Sequence, residues 1–271
     1  MLCETIPIQM KGSSECARLC IYVLDSSERF QRGLVRPMIL LCPGGGYEHT
    51  SDREAEPVAM RLLAKGYHVG ILRYSVAPAR FPTALIELAQ AMRLVHENAV
   101  KWHVDVGRIF VQGFSAGGHL AACLGVFWDT AFLRDAVKVP SEWLKPAGLI
   151  LCYPVITSEE RYTHEGSFRN LLGKEWKERK EQLSIERQVS AQTPPCFIWH
   201  TYTDETVPVE NSLLLFSAFR KYGIPVELHI YPEGSHGLAL GDASTSGADK
   251  NKICKAVQSW IDLLGIWLER F

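Results

Sequence analysis

A serine between two glycines stands where an apolar run of the sequence ends. Residues 113–117 read Gly-Phe-Ser-Ala-Gly, after the apolar segment 109–112 and before the small, apolar segment 117–127. The bare pattern also occurs by chance in glycine-rich loops. Between a strand and a helix, however, Gly-x-Ser-x-Gly is typical of a nucleophile elbow, a tight turn that exposes the serine Oγ. The sequence therefore predicts Ser115 as a nucleophile.

A serine hydroxyl needs a general base, and the base needs an acid that orients it. With a nucleophile elbow the chain order is serine, then aspartate or glutamate, then histidine. Asp204 follows the apolar segment 196–200, which places it at the carboxyl end of a strand, where sites in open α/β sheets gather. Its neighbour Glu205 is the alternative acid. His236 follows the apolar segment 226–231 and is the predicted base.

The other histidines are weaker candidates for the base, and the chain has nine histidines in all. His200 precedes Asp204, which is the wrong order for the base, and it is expected to border the substrate. His229 is in the middle of a predicted strand. His119 is expected to pack on the helix after Ser115, and His96 and His103 are expected to be solvated or packed on a long amphipathic helix.

Three consecutive glycines follow another apolar run, segment 38–42. Such a loop lets backbone N–H groups converge on one point, which in an elbow-type hydrolase is the oxyanion hole. Gly45, Gly46 and the N–H of Ala116 are the predicted donors, and which glycine is the main donor stays open. A phosphate-binding nest is the alternative, but Gly-x-Gly-x-x-Gly and Gly-Lys-Ser/Thr are absent. Tyr47 either donates a hydrogen bond to the substrate or packs.

Apolar runs alternate with helical patterns along the chain, which predicts an α/β fold with a mostly parallel, doubly wound sheet and helices on both faces. The predicted strands are residues 16–24, 38–42, 68–74, 109–112, 148–153, 196–200 and 226–231. The predicted helices are residues 54–65, 82–102, 117–127, 209–222 and 249–267.

The polar segment 157–193 interrupts this alternation, since a connection between neighbouring elements should be shorter. It is either a solvated helical excursion or a small cap beside the site. The length of 271 residues fits a single domain spanning residues 1–271.

Composition limits the classes of partner. Lys and Arg number 29 against 30 Asp and Glu, so no long-range attraction to nucleic acid or to an anionic membrane is expected. The first residues lack a secretory signal pattern, and no apolar run reaches the ~18 residues of a transmembrane helix. The eight cysteines include no Cys-x-x-Cys pair and are predicted to be reduced, buried thiols, which favours the cytoplasm. We expect no metal ion and no organic cofactor; the sequence leaves the oligomeric state open.

The chain resembles the α/β-hydrolase esterases related to hormone-sensitive lipase, and most closely the bifunctional feruloyl/acetyl-xylan esterases and other carbohydrate acetylesterases. The shared motifs are Pro43-Gly44-Gly45-Gly46-Tyr47, Ser51-Asp52-Arg53-Glu54, residues 113–120, Thr193-Pro194-Pro195, Trp199-His200-Thr201, Asp204 with residues 207–212, and Gly234-Ser235-His236-Gly237. Lipase-like relatives usually have histidine directly before the glycines, whereas Pro43 stands here, as is usual in the carbohydrate-esterase branch.

The resemblance implies Ser115 as nucleophile, Asp204 as orienting acid and His236 as base. It also implies a small-molecule substrate: a short-chain ester, above all the acetyl ester of a sugar or a small oligosaccharide. Two other functions stay open on the sequence alone. One is an amidase or peptidase activity, and the other is a catalytically inactive binding module with a hydrolase fold.

Overall fold

The computed structural model describes residues 1–271 except Glu28, Phe30 and Arg32. In this part of the chain, eight strands form a single sheet. They are β1 (Leu2–Pro7), β2 (Arg18–Val23), β3 (Arg36–Cys42), β4 (His68–Arg73), β5 (Val104–Phe114), β6 (Gly148–Cys152), β7 (Cys196–Thr201) and β8 (Val226–Tyr231). Their order across the sheet is β1-β2-β4-β3-β5-β6-β7-β8.

The sheet is parallel from β4 to β8 and antiparallel only where β2 pairs with β1 and with β4. Every residue of β4, β6 and β7 is buried. Continuous burial of this kind explains why these strands read as apolar runs, since helices cover both faces of a parallel sheet. The predicted doubly wound α/β sheet is confirmed.

The helices lie on the two faces of this sheet. They are α1 (Glu56–Ala64), α2 (Thr83–Glu97), α3 (Ala99–Trp102), α4 (Ala116–Phe127), α5 (Ala131–Val137), α6 (Glu165–Leu172), α7 (Trp176–Arg179), α8 (Glu210–Lys221), α9 (Ala243–Ser246) and α10 (Trp260–Leu268). Buried residues of α2, α4 and α8 belong to one hydrophobic cluster, and those of α1 and α10 to a second. Among the described helices, none has both the length and the apolar character needed to cross a membrane.

The last helix begins later than predicted. The spacing of apolar residues indicates a helix over 249–267, but the α-helix is α10 (Trp260–Leu268), preceded by short 3₁₀ turns. The N–H of Cys254 donates to the carbonyl of Gly241, 2.9 Å away, and is therefore unavailable for a bond within a helix. The local pattern of this segment favours a helix, but a tertiary contact moves the first residue of the helix toward the C-terminus.

Strand β1 was not predicted, because it carries no apolar signal. Its residues are exposed or half-buried, and it pairs with β2 alone, at the edge of the sheet. An edge strand without a buried face needs no apolar alternation, and the backbone bonds to its neighbour hold it.

The segment 157–193 folds onto the body of the protein. It contains α6, α7 and short 3₁₀ turns. Phe168, Leu171 and Leu172 of α6 are buried in the same hydrophobic cluster as α2 and α4. The backbone N–H of Phe81 donates to the carbonyl of Leu171, 2.9 Å away. The segment is therefore packed over the loops that follow the strands and is not a purely solvated excursion.

All eight cysteines are free thiols. Cys42, Cys123, Cys152 and Cys196 are buried, and burial raises the pKa of each of these thiols. Cys3 and Cys16 are exposed, so the prediction of buried thiols does not hold for them.

Candidate active site

Ser115 occupies a tight turn between a strand and a helix. Strand β5 ends at Phe114, Ser115 has φ 53° and ψ −120°, and α4 begins at Ala116. A Cβ at Gly113 would collide with the carbonyl of Gly117. The predicted strand–turn–helix is present, and steric contact explains why this position of the turn is glycine. A positive φ at a serine is a strained conformation that the packed strand and helix must hold.

The three residues predicted to act together lie within hydrogen-bond distance of one another. The Nε2 atom of His236 is 2.8 Å from the Oγ of Ser115, and its Nδ1 is 2.6 Å from Oδ2 of Asp204. They follow β5, β7 and β8, so the carboxyl ends of the parallel strands bring residues 121 positions apart into contact. The serine hydroxyl, imidazole and carboxylate form a chain along which one proton can move from Ser115 to His236.

Asp204 is held by its own loop. Its Oδ1 accepts the N–H groups of Thr206 and Val207 at 3.0 and 2.9 Å. Burial alone would raise the pKa of Asp204, but hydrogen bonds from His200 and His236 outweigh it and hold that pKa below its usual value. The ionised carboxylate therefore stabilises the fold above about pH 4, and this contribution is lost as the pH falls through the lowered pKa. Glu205, the alternative acid, is exposed.

The glycine loop presents free backbone donors beside the serine. The carbonyl of Gly44 accepts the N–H of Ser51 at 3.0 Å, and the carbonyl of Gly45 accepts the N–H of Glu48 at 2.9 Å. In a trans peptide the N–H points away from the carbonyl. The N–H groups of Gly45 and Gly46 therefore point away from the side of the loop on which these two carbonyls accept their hydrogen bonds. Gly45, Gly46 and Ser115 line one cleft. Within the described residues, none of the hydrogen bonds uses the N–H of Gly45, Gly46 or Ala116.

The structure corrects the two predicted substrate contacts, since neither side chain lines the cleft. Tyr47 is 2% exposed, and its hydroxyl donates to Nδ1 of His119, 2.9 Å away. His200 is fully buried; its Nε2 donates to the carbonyl of Val207 at 2.9 Å and also lies 3.4 Å from Oδ2 of Asp204. Tyr47 thus packs against Tyr74 and His119, and His200 supports the loop that carries Asp204.

Glu54 and His164 also line the cleft. Glu54 belongs to the motif Ser51-Asp52-Arg53-Glu54, to which the sequence assigned no role, whereas His164 belongs to none of the motifs. His164 belongs to the segment 157–193 and caps the N-terminus of α6; its Nδ1 contacts the Oγ of Ser167, 2.8 Å away, and accepts the N–H of the same residue at 3.3 Å. Burial and the nearby His236 lower the pKa of His164. A neutral imidazole that accepts at Nδ1 carries its proton on Nε2, so His164 is a hydrogen-bond donor beside the cleft.

The cleft has a volume of about 290 Å³. Its described lining contains no large aliphatic or aromatic side chain apart from three imidazoles and consists of Gly45, Gly46, Glu48, His49, Ser51, Arg53, Glu54, Ser115, His164, Thr206, His236 and Gly237. No cluster of metal-ligating side chains is found among the residues that the structure describes. The lining suits a polar substrate.

Comparison with known proteins places this site in a family. The sequence model of the BD-FAE family matches residues 29–219, which include the glycine loop, Ser115 and Asp204. This chain belongs to the BD-FAE family. The model of the dienelactone hydrolase family matches residues 178–268, which include His236.

Relatives of this BD-FAE chain include two longer proteins. It is 37% identical over 212 residues to endo-1,4-beta-xylanase B of Butyrivibrio fibrisolvens, covering 76% of this chain and 33% of that protein. It is 33% identical over 205 residues to an acetylxylan esterase of Xylanibacter ruminicola, covering 73% of this chain and 40% of that protein. The chain therefore spans well under half the length of both proteins.

A solved structure matches nearly the whole BD-FAE chain. The acetyl ester-xyloside bifunctional hydrolase of Caldicellulosiruptor lactoaceticus is 38% identical, with a TM-score of 0.84, and the match covers 98% of this chain and 96% of that one. Together with the strand order, this similarity confirms the α/β-hydrolase fold that the sequence motifs imply.

Proposed function

We propose that this protein is a serine esterase that hydrolyses short-chain esters, principally acetyl esters of sugars or small oligosaccharides, through an acyl-enzyme on Ser115. The observation that carries the proposal is the position of the His236 imidazole, 2.8 Å from Oγ of Ser115 and 2.6 Å from Oδ2 of Asp204. The free N–H groups beside Ser115 and the esterases among the relatives support it.

The first half of the reaction acylates the serine. His236 takes the proton of Ser115 at Nε2 while Oγ attacks the ester carbonyl carbon, and Asp204 stabilises the imidazolium through Nδ1–H. The carbonyl oxygen becomes negatively charged and accepts hydrogen bonds from Ala116 and from Gly45 or Gly46. One such donor is typically worth about 3 kcal/mol in the transition state. The intermediate then collapses, the ester C–O bond breaks, and His236 protonates the departing alcohol oxygen.

The second half releases the acid. A water molecule takes the position that the alcohol has left, and His236 accepts one of its protons as the water oxygen attacks the acyl carbon. The same backbone N–H groups hold the second oxyanion. Collapse of this intermediate returns the proton from His236 to Oγ of Ser115 and frees the carboxylic acid. The cycle uses only groups of this chain and water.

The polar cleft supports a hydroxylated alcohol and a short acyl group. Glu48, His49, Arg53, His164 and Thr206 line it, and each offers a donor or acceptor to sugar hydroxyls. A longer acyl chain gains about 0.8 kcal/mol per methylene only where apolar surface buries it. The described lining offers almost none of that surface, so lengthening the acyl chain brings no binding energy.

A substrate panel tests this specificity. From p-nitrophenyl acetate to the butyrate and octanoate esters, kcat/KM should not rise, because each added methylene finds no apolar surface that would contribute its ~0.8 kcal/mol. Acetylated xylose should be deacetylated, which is measured by release of acetate. A kcat/KM that rises from acetate to octanoate, together with no release from acetylated sugars, would contradict the acetylesterase assignment while leaving a serine hydrolase in place.

A further inference from the structure

Glu54 is a buried carboxylate beside the nucleophile that the reaction described above does not use. It is 3% exposed, and it lines the cleft with Ser115 and His236. Among the ion pairs of the described residues, none includes Glu54. Because a buried charge is costly unless hydrogen bonds compensate it, the donors that surround this carboxylate indicate its role.

One carboxylate oxygen holds the glycine loop. Oε2 of Glu54 accepts the N–H of Gly44 at 2.8 Å, while the carbonyl of the same peptide, that of Pro43, accepts the hydroxyl of Tyr74 at 2.7 Å. The peptide is therefore fixed at both ends. A Cβ at Gly44 would lie 2.9 Å from Cβ of Ser115, so this peptide packs directly against the nucleophile. The next residue along the chain is Gly45, a predicted oxyanion donor.

The other carboxylate oxygen reaches the loop of the base. Oε1 accepts the hydroxyl of Tyr153 at 2.7 Å, and that hydroxyl accepts the N–H of Ala239 at 3.0 Å. The ring of Tyr153 meets the imidazole of His236 edge-on, with ring centroids 5.0 Å apart. Burial and the charge of Glu54 raise the pKa of Tyr153 well above its ordinary value, so the phenol keeps its proton and stays a donor.

We propose that Glu54 is a positioning residue, which fixes the oxyanion donors of the glycine loop and the imidazole of His236 relative to Ser115. The inference rests on the proposed esterase function. A carboxylate suits this role because both of its oxygens accept, so it holds two donors from two different loops at once. A neutral amide accepts at only one of these positions and presents N–H donors at the other.

The test is Glu54→Gln, which keeps the shape of the side chain. It breaks one of the two hydrogen bonds that the carboxylate accepts, from the Gly44 N–H and from the Tyr153 hydroxyl. We expect kcat on p-nitrophenyl acetate to fall by about 30- to 300-fold, approaching the loss of one oxyanion donor, with KM changed less than about threefold. Tyr153→Phe, which removes only the bond on the side of the base, should give a smaller loss of kcat. Glu56→Gln is the matched control, because Glu56 pairs with Arg73 at 2.9 Å and does not line the cleft. Its kcat should stay within about twofold of wild type.

A second measurement separates positioning from stability. Phenylboronic acid forms a tetrahedral adduct on an active serine and places an oxygen where the oxyanion forms. Its inhibition constant should rise in Glu54→Gln in parallel with the fall in kcat/KM, because both report the same donors. The melting temperature of Glu54→Gln should change by less than about 4 °C.

Two outcomes would overturn the role of Glu54. One is a Glu54→Gln variant with wild-type kcat, and the other is a loss of activity that follows unfolding while the boronate constant of the folded fraction is unchanged. Both require an active wild-type protein. A folded wild-type protein without esterase activity would instead contradict the proposed function itself.

Discussion

Replacing His236 with alanine should lower kcat on p-nitrophenyl acetate by roughly 10⁴- to 10⁶-fold, the range found when the base of a Ser-His-Asp site is removed. The imidazole Nε2 is 2.8 Å from Oγ of Ser115, and without it no group at that position takes the serine proton. KM should change little, because the cleft that holds the substrate is retained. Initial rates at saturating substrate measure the effect. A His236→Ala protein that keeps more than about 1% of kcat would contradict the assignment of the base.

His200→Ala is the matched control for this variant. His200 is buried and lies 3.4 Å from Asp204, but it does not line the cleft. Its removal leaves the hydroxyl of Ser212 and the carbonyl of Val207 without a partner, each at a cost of about 1–3 kcal/mol. We therefore expect a lower melting temperature and a modest fall in kcat. If His200→Ala abolished activity with its melting temperature unchanged, while His236→Ala stayed active, His200 would be the base.

Replacing Asp204 with asparagine should lower kcat by about 10⁴-fold, the effect of the same change in a serine protease. The asparagine oxygen can still accept the N–H groups of Thr206 and Val207, which keeps the loop in place. Its amide N–H₂ would then face Nδ1 of His236, where a carboxylate oxygen now lies at 2.6 Å. That arrangement favours the imidazole tautomer with its proton on Nε2, which cannot accept a proton from Ser115.

Glu205→Gln is the control for Asp204→Asn, because it makes the same chemical change at the neighbouring residue. Glu205 is exposed, so the kcat of Glu205→Gln should stay within about twofold of wild type. Both variants should have circular dichroism spectra like that of the wild type. A large loss in Glu205→Gln with an active Asp204→Asn would reverse the assignment of the orienting acid.

The sequence was most informative where function depends on local geometry. Gly113 is required by contact with Gly117, four residues away, so the elbow is visible in the sequence as a short motif. The buried strands read as apolar runs because both of their faces are covered. Asp204 and His236 follow from this pattern, since each lies in a loop directly after a strand of the same parallel sheet.

Apart from the contacts among Ser115, Asp204 and His236, contacts between distant segments were not predictable from local patterns. The hydrogen bond between Tyr153 and Glu54 joins residues 99 positions apart, and no spacing in the sequence indicates it. His164 lies in a polar segment without a clear period, and its position in the cleft depends on how α6 packs. Tyr47 and His200 belong to the shared motifs and were predicted to contact substrate, yet the direction of a side chain is set by packing. The first residue of α10 also depends on a tertiary contact, because the N–H of Cys254 bonds to the carbonyl of Gly241 and not within a helix.

Covalent labelling of Ser115 tests the central claim most directly. A fluorophosphonate reacts with a serine that a base has activated, and intact mass with peptide mapping locates the adduct. We predict that the wild-type protein is labelled once, at Ser115, and loses its p-nitrophenyl acetate hydrolysis in step with labelling, and that Ser115→Ala is neither labelled nor active. A folded wild-type protein that neither reacts with the probe nor hydrolyses the ester would contradict the account.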